Sequence, residues 1–187
     1  MNDEHVALLV KPGAVGVMLT DTIYGLVARA TDQAAVTRLY GLKDRHEKPG
    51  TLIAANSEQL EELGIKHRYL SGVMQFWPGQ VSVIIPCGPE LAYLHQGISS
   101  LAVRITDDPR VVSVLERTGP LLTSSANQPG EPPAHSVREA EAYFGNSVDF
   151  YSDGGTVSDA LASTVIRIID DSIEIVRQGA VIIETGE

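Results

Sequence analysis

The chain has 187 residues, 43% of them hydrophobic and 20% charged, enough apolar material for one domain with a substantial core. Its formal net charge of −10 repels phosphate backbones and anionic membranes, which argues against general nucleic-acid binding and a membrane partner. One cysteine, Cys87, excludes an internal disulfide, and no CxxC or HExxH spacing offers a metal site. The acidic N-terminus, Met1-Asn2-Asp3-Glu4-His5, lacks a signal-peptide layout, and no apolar run approaches the ~18 residues that span a bilayer, so a cytoplasmic protein is expected.

In chain order, Val15-Gly16-Val17-Met18-Leu19 is short, uncharged and carries two β-branched valines, and predicts a buried strand. It runs into Thr20-Asp21-Thr22-Ile23-Tyr24-Gly25. Thr31-Asp32 can cap a helix carrying Ala35, Val36, Leu39 and Tyr40, weakened at Gly41. Residues 51–55 read as a strand. Asn56 or Ser57 opens a helix closed by Gly64, and a second helix is expected over residues 68–76. Trp77-Pro78-Gly79 is a turn. Residues 81–86 and 101–105 are strands, and Asp108-Pro109 caps a helix ending at Gly119. Residues 121–124 form a strand, 128–133 a Pro/Gly loop, and Ser136-Val137-Arg138-Glu139 a capping box opening a helix to Phe144. A short strand over 149–152, a turn at Asp153-Gly154-Gly155 and a loop over 156–162 precede a hairpin of strands 163–169 and 173–176. Strands alternating with helices and ending in a hairpin indicate one α/β domain with a mixed sheet, over residues 1–187 with its core at 5–183.

Several groups carry candidate chemistry, each with a plainer reading. Thr20-Asp21-Thr22 ends a strand, where α/β sheets place ligand groups, or forms an Asx-type turn. Lys43, Arg45 and Lys48, with Arg38 one turn earlier, fit phosphate or a solvated helix end. Ser124-Ser125-Ala126-Asn127 offers hydroxyls and backbone N–H groups to an anion, or is a turn. Arg104 interrupts an apolar strand on the face opposite Val103 and Ile105, and requires an anion there: a structural carboxylate or a ligand. Ser163-Thr164 and Arg177 bracket the hairpin. His46, His67, His95 and His135 lack a Ser or Cys partner at a recognisable spacing and default to the surface, and Cys87 to packing. No GxSxG, Walker A or GxGxxG run occurs.

Taken together, Thr20-Asp21-Thr22-Ile23-Tyr24-Gly25-Leu26, Lys43-x-Arg45, Trp77-Pro78-Gly79, Ala102-Val103-Arg104, Ser125-x-Asn127, Asp153-Gly154-Gly155, Ser163-Thr164-Val165 and Arg177-x-Gly179 stand in the order that resembles the YrdC/Sua5/TsaC family, in its short, single-domain form. The resemblance implies a twisted open mixed sheet with flanking helices around a concave, positively lined cavity. It also implies threonylcarbamoyl-AMP synthase activity, a nucleotidyl transfer in which L-threonine, bicarbonate and ATP give threonylcarbamoyl-AMP and pyrophosphate. That is the first step of the t6A modification of tRNA position 37.

The resemblance assigns Lys43, Arg45, Ser125 and Asn127 to a catalytic signature. It assigns Thr22, Ile53, Arg104, Thr123 and Ser163 to threonine, and Arg45, Lys48, Ser100, Ser125, Pro133 and Arg177 to ATP. Mg²⁺ is expected with ATP, with no tightly bound cofactor. A TsaD-type transferase is an expected partner, and direct tRNA binding should be weak or indirect. The sequence departs from the family pattern at Leu19, at Gly50-Thr51 and at Gln178, with Gly50 putting the register of Ile53 in question. Alternatives are a YciO-like paralogue and an RNA- or nucleotide-binding module of the same fold. A carbamoyl-transfer role, as in hydrogenase maturation proteins, would come with further domains.

Overall fold

A computed structural model describes residues 1–44, 48–170 and 172–183. The order of elements is α1 (Asp3–Leu9), β1 (Val15–Leu19), β2 (Tyr24–Arg29), α2 (Gln33–Leu42), β3 (Thr51–Ala54), α3 (Ser57–Leu63), α4 (His67–Ser71), β4 (Val81–Pro86), α5 (Ala92–His95), β5 (Ser100–Ile105), α6 (Pro109–Thr118), β6 (Leu121–Ser125), α7 (Val137–Phe144), β7 (Phe150–Ser152), β8 (Thr164–Ile169) and β9 (Ser172–Arg177). The strands form one sheet in the order β7-β1-β2-β6-β3-β5-β4-β8-β9. The pairs β1/β7, β3/β5 and β4/β8 are parallel and the others antiparallel, so the sheet is mixed and open at β7 and β9.

Most helix boundaries follow from their caps. Asp32, Asn56 and Ser136 accept from the backbone N–H three residues on, and Asp108 from that of Arg110. In the expected capping box Glu139 reaches back to the N–H of His135 rather than of Ser136. Four elements differ from the sequence reading. The helix expected over residues 68–76 stops at Ser71, since Gly72 interrupts it before a separate 3₁₀ turn, Met74–Phe76. The strand β2 and the helices α1 and α5 had no counterpart in that reading. Arg38 also leaves the expected cation cluster, pairing with Asp149 at 2.6 Å.

Period-2 alternation divides the sheet into two faces. Tyr24, Leu26 and Ala28 of β2, Val81, Val83 and Ile85 of β4, and Leu101, Val103 and Ile105 of β5 enter the larger core, which α2, α3, α4, α5 and α7 cover. On the other face α1 and α6 cover part of the sheet, packing Val6, Leu9, Val111, Val114 and Leu115 on Val27, Ile53, Leu121 and Phe150. Beyond their edge the same strands continue uncovered, and those uncovered ends floor a cavity.

Candidate active site

The cavity has a volume of about 510 Å³. The pleat explains its lining. Gly25 follows the turn into β2, two residues before the covered Val27, and Thr123 and Ser125 follow Leu121 along β6. Across the ladder Thr123 pairs with Thr51, Thr51 with Ala102, and Ala102 with Ile84, all on the open face. Ser163, Val165, Arg167 and Arg177 close the far side, and Pro49, Ile98, Ser100 and Pro133 form a more apolar rim. A second cavity of about 380 Å³, lined by Lys43, Asp44, Lys48, Ser125, Asn127, Pro129 and Gly130, shares Ser125 with the first.

Thr20 and Thr22 occupy the hairpin turn between β1 and β2. The Thr20 hydroxyl donates to the Ile23 carbonyl at 2.8 Å and lies 3.1 Å from that of Thr22, so both hydroxyls stand at the cavity wall, mostly buried. The intervening Asp21 points beneath the wall. Its Oδ1 meets Arg104 Nη2 at 2.8 Å, and both side chains are 3% exposed. The anion that Arg104 requires is therefore a structural carboxylate, although Arg104 also borders the cavity. The pair is incomplete, since Asp21 Oδ2 and Arg104 Nε are buried without hydrogen-bond partners among the described residues. Ser124 Oγ, at the cavity wall, shares that state.

Among the described residues no Asp or Glu lines the first cavity, and three arginines do. Their charge is partly offset, because Asp21 pairs with Arg104, and Glu174 lies 3.6 Å from Arg167 in a half-exposed pair. Arg177 donates to the Ser163 carbonyl at 2.7 Å. Lys43 is buried and binds the end of β6. Its ammonium donates to the Ser125 carbonyl and Asn127 Oδ1, each at 2.8 Å, and to the Asn127 carbonyl. Among the described residues three acceptors face its three N–H donors. Ser125 Oγ completes the turn by donating to Asn127 Oδ1 at 2.6 Å.

Of the expected site residues, Thr22, Ser100, Arg104, Thr123, Ser125, Pro133, Ser163 and Arg177 line the first cavity, and Lys43, Lys48, Ser125 and Asn127 the second. Arg45 lies outside the described residues, as does His46. Ile53 does not reach the cavity: it faces the right way but is fully buried under α6, and Thr51, one pleat earlier, lines the wall instead. Ser82 and Arg167 went unassigned in the sequence, whereas Thr20, Asp21 and Ser124 entered only as members of candidate motifs, without a role of their own. A partner for a buried arginine was foreseeable, but not its identity across 83 residues. His95 is not on the surface. It is buried, its Nδ1 accepts from the N–H groups of Gly97 and Ser99, and its Nε2 faces the Gly88 carbonyl, fixing the rim loop that carries Ile98. Burial pushes the Cys87 thiol up to about 11, which suits packing better than nucleophilic chemistry.

The remaining motifs are architectural. Tyr24, fully buried, donates its hydroxyl to the Gly155 carbonyl at 2.7 Å and accepts the Gly154 N–H at 2.8 Å, which ties Asp153-Gly154-Gly155 to β2. Burial raises the Tyr24 pKa, so the phenol stays protonated. The three departures are accommodated. Leu19 packs on Gly154, where a Cβ would lie 2.6 Å from its own Cβ. At Gly50 a Cβ would fall 2.4 Å from the Thr123 carbonyl oxygen, so close approach of β3 to β6 requires glycine. Gln178 donates to the Val181 carbonyl at 2.8 Å and fastens the segment after β9. Among the described residues no three His, Cys, Asp or Glu side chains converge as metal ligands, and no helix is long and apolar enough to cross a membrane.

The Sua5_yciO_yrdC family model, described as "Telomere recombination", matches residues 9–179. A threonylcarbamoyl-AMP synthase from Klebsiella pneumoniae is 33% identical over 178 residues, spanning 87% of this chain and 93% of its own. A threonylcarbamoyl-AMP synthase from Coxiella burnetii is 32% identical, over 84% of this chain and 92% of its own. Among solved structures, P. abyssi Sua5 complexed with L-threonine superposes with a TM-score of 0.82 at 26% identity, over 94% of this chain and 53% of that one, so this chain spans about half its length. E. coli YciO, at 22% identity, shares the fold with a TM-score of 0.79. With the family model matching nearly end to end and relatives above 30% identity over most of both chains, this chain belongs to the Sua5/YciO/YrdC family.

Proposed function

We propose that the chain is a threonylcarbamoyl-AMP synthase, a nucleotidyltransferase joining L-threonine, bicarbonate and ATP and releasing pyrophosphate. The observation that carries this reading is the match to relatives of that name over nearly whole chains, combined with one cavity that gathers eight of the residues expected to hold the substrates.

In the first step the threonine amine attacks the carbon of bicarbonate, or of CO2 formed from it, giving a carbamate with loss of water. In the second a carbamate oxygen attacks the α-phosphorus and pyrophosphate leaves with the P–O bonding pair. Each nucleophile belongs to a substrate, so the protein's task is to position three ligands and stabilise charge. Thr22, Thr123, Arg104 and Ser163 form the amino-acid end. Ser100, Pro133 and Arg177 border the nucleotide, with Lys48 and Arg45 toward the phosphates. Lys43 acts first by fixing the Ser125–Asn127 turn to which it is bonded, so that this turn presents the Ser125 hydroxyl where the two cavities meet.

Magnesium enters as part of the MgATP substrate, held by phosphate oxygens and water. The arginine-lined wall gives the cavity its positive character despite the acidic surface. The product passes to a TsaD-type transferase for tRNA modification in the cytoplasm, with direct tRNA contact weak or indirect. Pyrophosphate release by the purified protein tests this: it should require both threonine and bicarbonate, and release that ignores threonine would defeat the reading.

A further inference from the structure

Ser82 lies in β4 with no exposed surface, and neither the sequence motifs nor the cavity lining assign it a role. Among the described residues its hydroxyl oxygen has two hydrogen-bonding neighbours, Arg104 Nη1 at 3.2 Å and Ser163 Oγ at 2.8 Å. Arg177 Nη2 approaches the same Ser163 Oγ at 3.3 Å. Arg104, Ser82, Ser163 and Arg177 therefore form a continuous chain behind the cavity wall.

The hydrogens in this chain can be assigned. A guanidinium only donates, so Ser82 Oγ accepts from Arg104 and Ser163 Oγ accepts from Arg177. Each hydroxyl has one hydrogen to give. Were Ser163 to give its hydrogen to Ser82, the Ser82 hydrogen would be buried with no acceptor, an arrangement folded proteins avoid. Ser82 therefore donates to Ser163. The Ser163 hydrogen is left for the cavity that Ser163 lines.

We propose that Ser82 is a positioning residue. It makes Ser163 an O–H donor toward the substrate carboxylate and holds the Arg104 guanidinium at the same end of the cavity. This inference rests on the synthase reading and adds to it a residue behind the wall. The nucleotide end is independent of Ser82, because Arg177 is anchored on the Ser163 carbonyl at 2.7 Å, a bond that survives loss of either hydroxyl.

The test compares Ser82→Ala and Ser82→Thr with the parent chain, measuring KM for threonine and for ATP by pyrophosphate release, threonine affinity by calorimetry, and thermal melting. Ser82→Ala should raise the threonine KM about ten- to a hundredfold, the scale of a lost hydrogen bond to a charged group, while the ATP KM moves by less than about threefold. Ser82→Thr, which keeps the hydroxyl, should restore the threonine KM. A rise shared equally by both substrates, or an unchanged threonine KM, overturns the proposal. Should Ser82→Ala not fold, Ser82→Cys carries the same expectation, with a feeble donor in the same shape. If the parent chain itself neither binds threonine nor releases pyrophosphate, the synthase reading falls and takes this proposal with it. Unchanged threonine affinity in Ser82→Ala removes this proposal alone.

Discussion

Replacing Asp21 with Asn removes the counter-charge of a guanidinium that has almost no contact with water. Both side chains of the pair are 3% exposed and their N–O distance is 2.8 Å. Taking away one partner of a buried pair costs about 3–5 kcal/mol, because the other charge stays buried. The cost here should fall near ~3 kcal/mol, since a single hydrogen bond joins the pair and Asn keeps an oxygen able to accept from Arg104. At about 2–4 °C per kcal/mol for a chain of 187 residues, the melting temperature should drop by roughly 6–12 °C. Threonine affinity should fall as well, because Arg104 borders the cavity. The double variant Asp21→Asn/Arg104→Met buries no charge and should recover most of the lost stability. Urea unfolding of the parent, both single variants and the double variant measures this cycle. An Asp21→Asn protein that melts within ~1 °C of the parent, or a double variant no more stable than the single, would refute the reasoning.

Two further perturbations probe the supports of the site. Gly50→Ala would push a methyl group 2.4 Å from the Thr123 carbonyl oxygen in the β3–β6 ladder, so it should destabilise by about 1–3 kcal/mol and raise KM for substrates bound beside Thr123, measured by melting and by kinetics. Asp108 is held below the usual carboxylate range chiefly by the hydrogen bond from the Arg110 side chain, with backbone N–H groups adding to it against a cost from burial. A depressed folded pKa means its stabilisation is complete above the unfolded value near ~4 and is lost as pH falls through the folded value. Asp108→Asn keeps a cap acceptor but not the charge. It should therefore cost about 0.3–1 kcal/mol at pH 7, with the difference from the parent shrinking below about pH 4 in urea titrations at each pH.

The parts of the fold legible in the sequence are those set by local chemistry. Asp32, Asn56, Asp108 and Ser136 announce their helices because a cap satisfies N–H groups within one turn. β1 is a continuous apolar run, β5 is apolar apart from Ser100 and Arg104, and β6 opens on Leu121-Leu122. β2 was not legible: Tyr-Gly-Leu-Val-Ala-Arg shows no alternation, because both of its faces are covered, one by the large core and the other partly by α1 and α6. α1 is a helix of two turns whose buried residues, Val6 and Leu9, meet α6 and β7, partners about 100 residues or more away that local patterning cannot reveal.

In the site, the strand-end hydroxyls and cations were legible as an ordered set of motifs. What the sequence withheld was depth. Ile53 and Thr51 share a face, and only the position of α6 decides that one is core and the other wall. Likewise the serine pair Ser82–Ser163 exists only once β8 pairs with β4, and the ion pair Asp21–Arg104 only once the β1–β2 turn meets β5.

The most direct test of the central claim is mass spectrometry of the product formed from L-threonine, MgATP and ¹³C-bicarbonate. The account predicts threonylcarbamoyl-AMP heavier by one mass unit than with unlabelled bicarbonate, appearing together with pyrophosphate. ATP turnover that yields no labelled adenylate, or an adenylate formed without threonine, would contradict it.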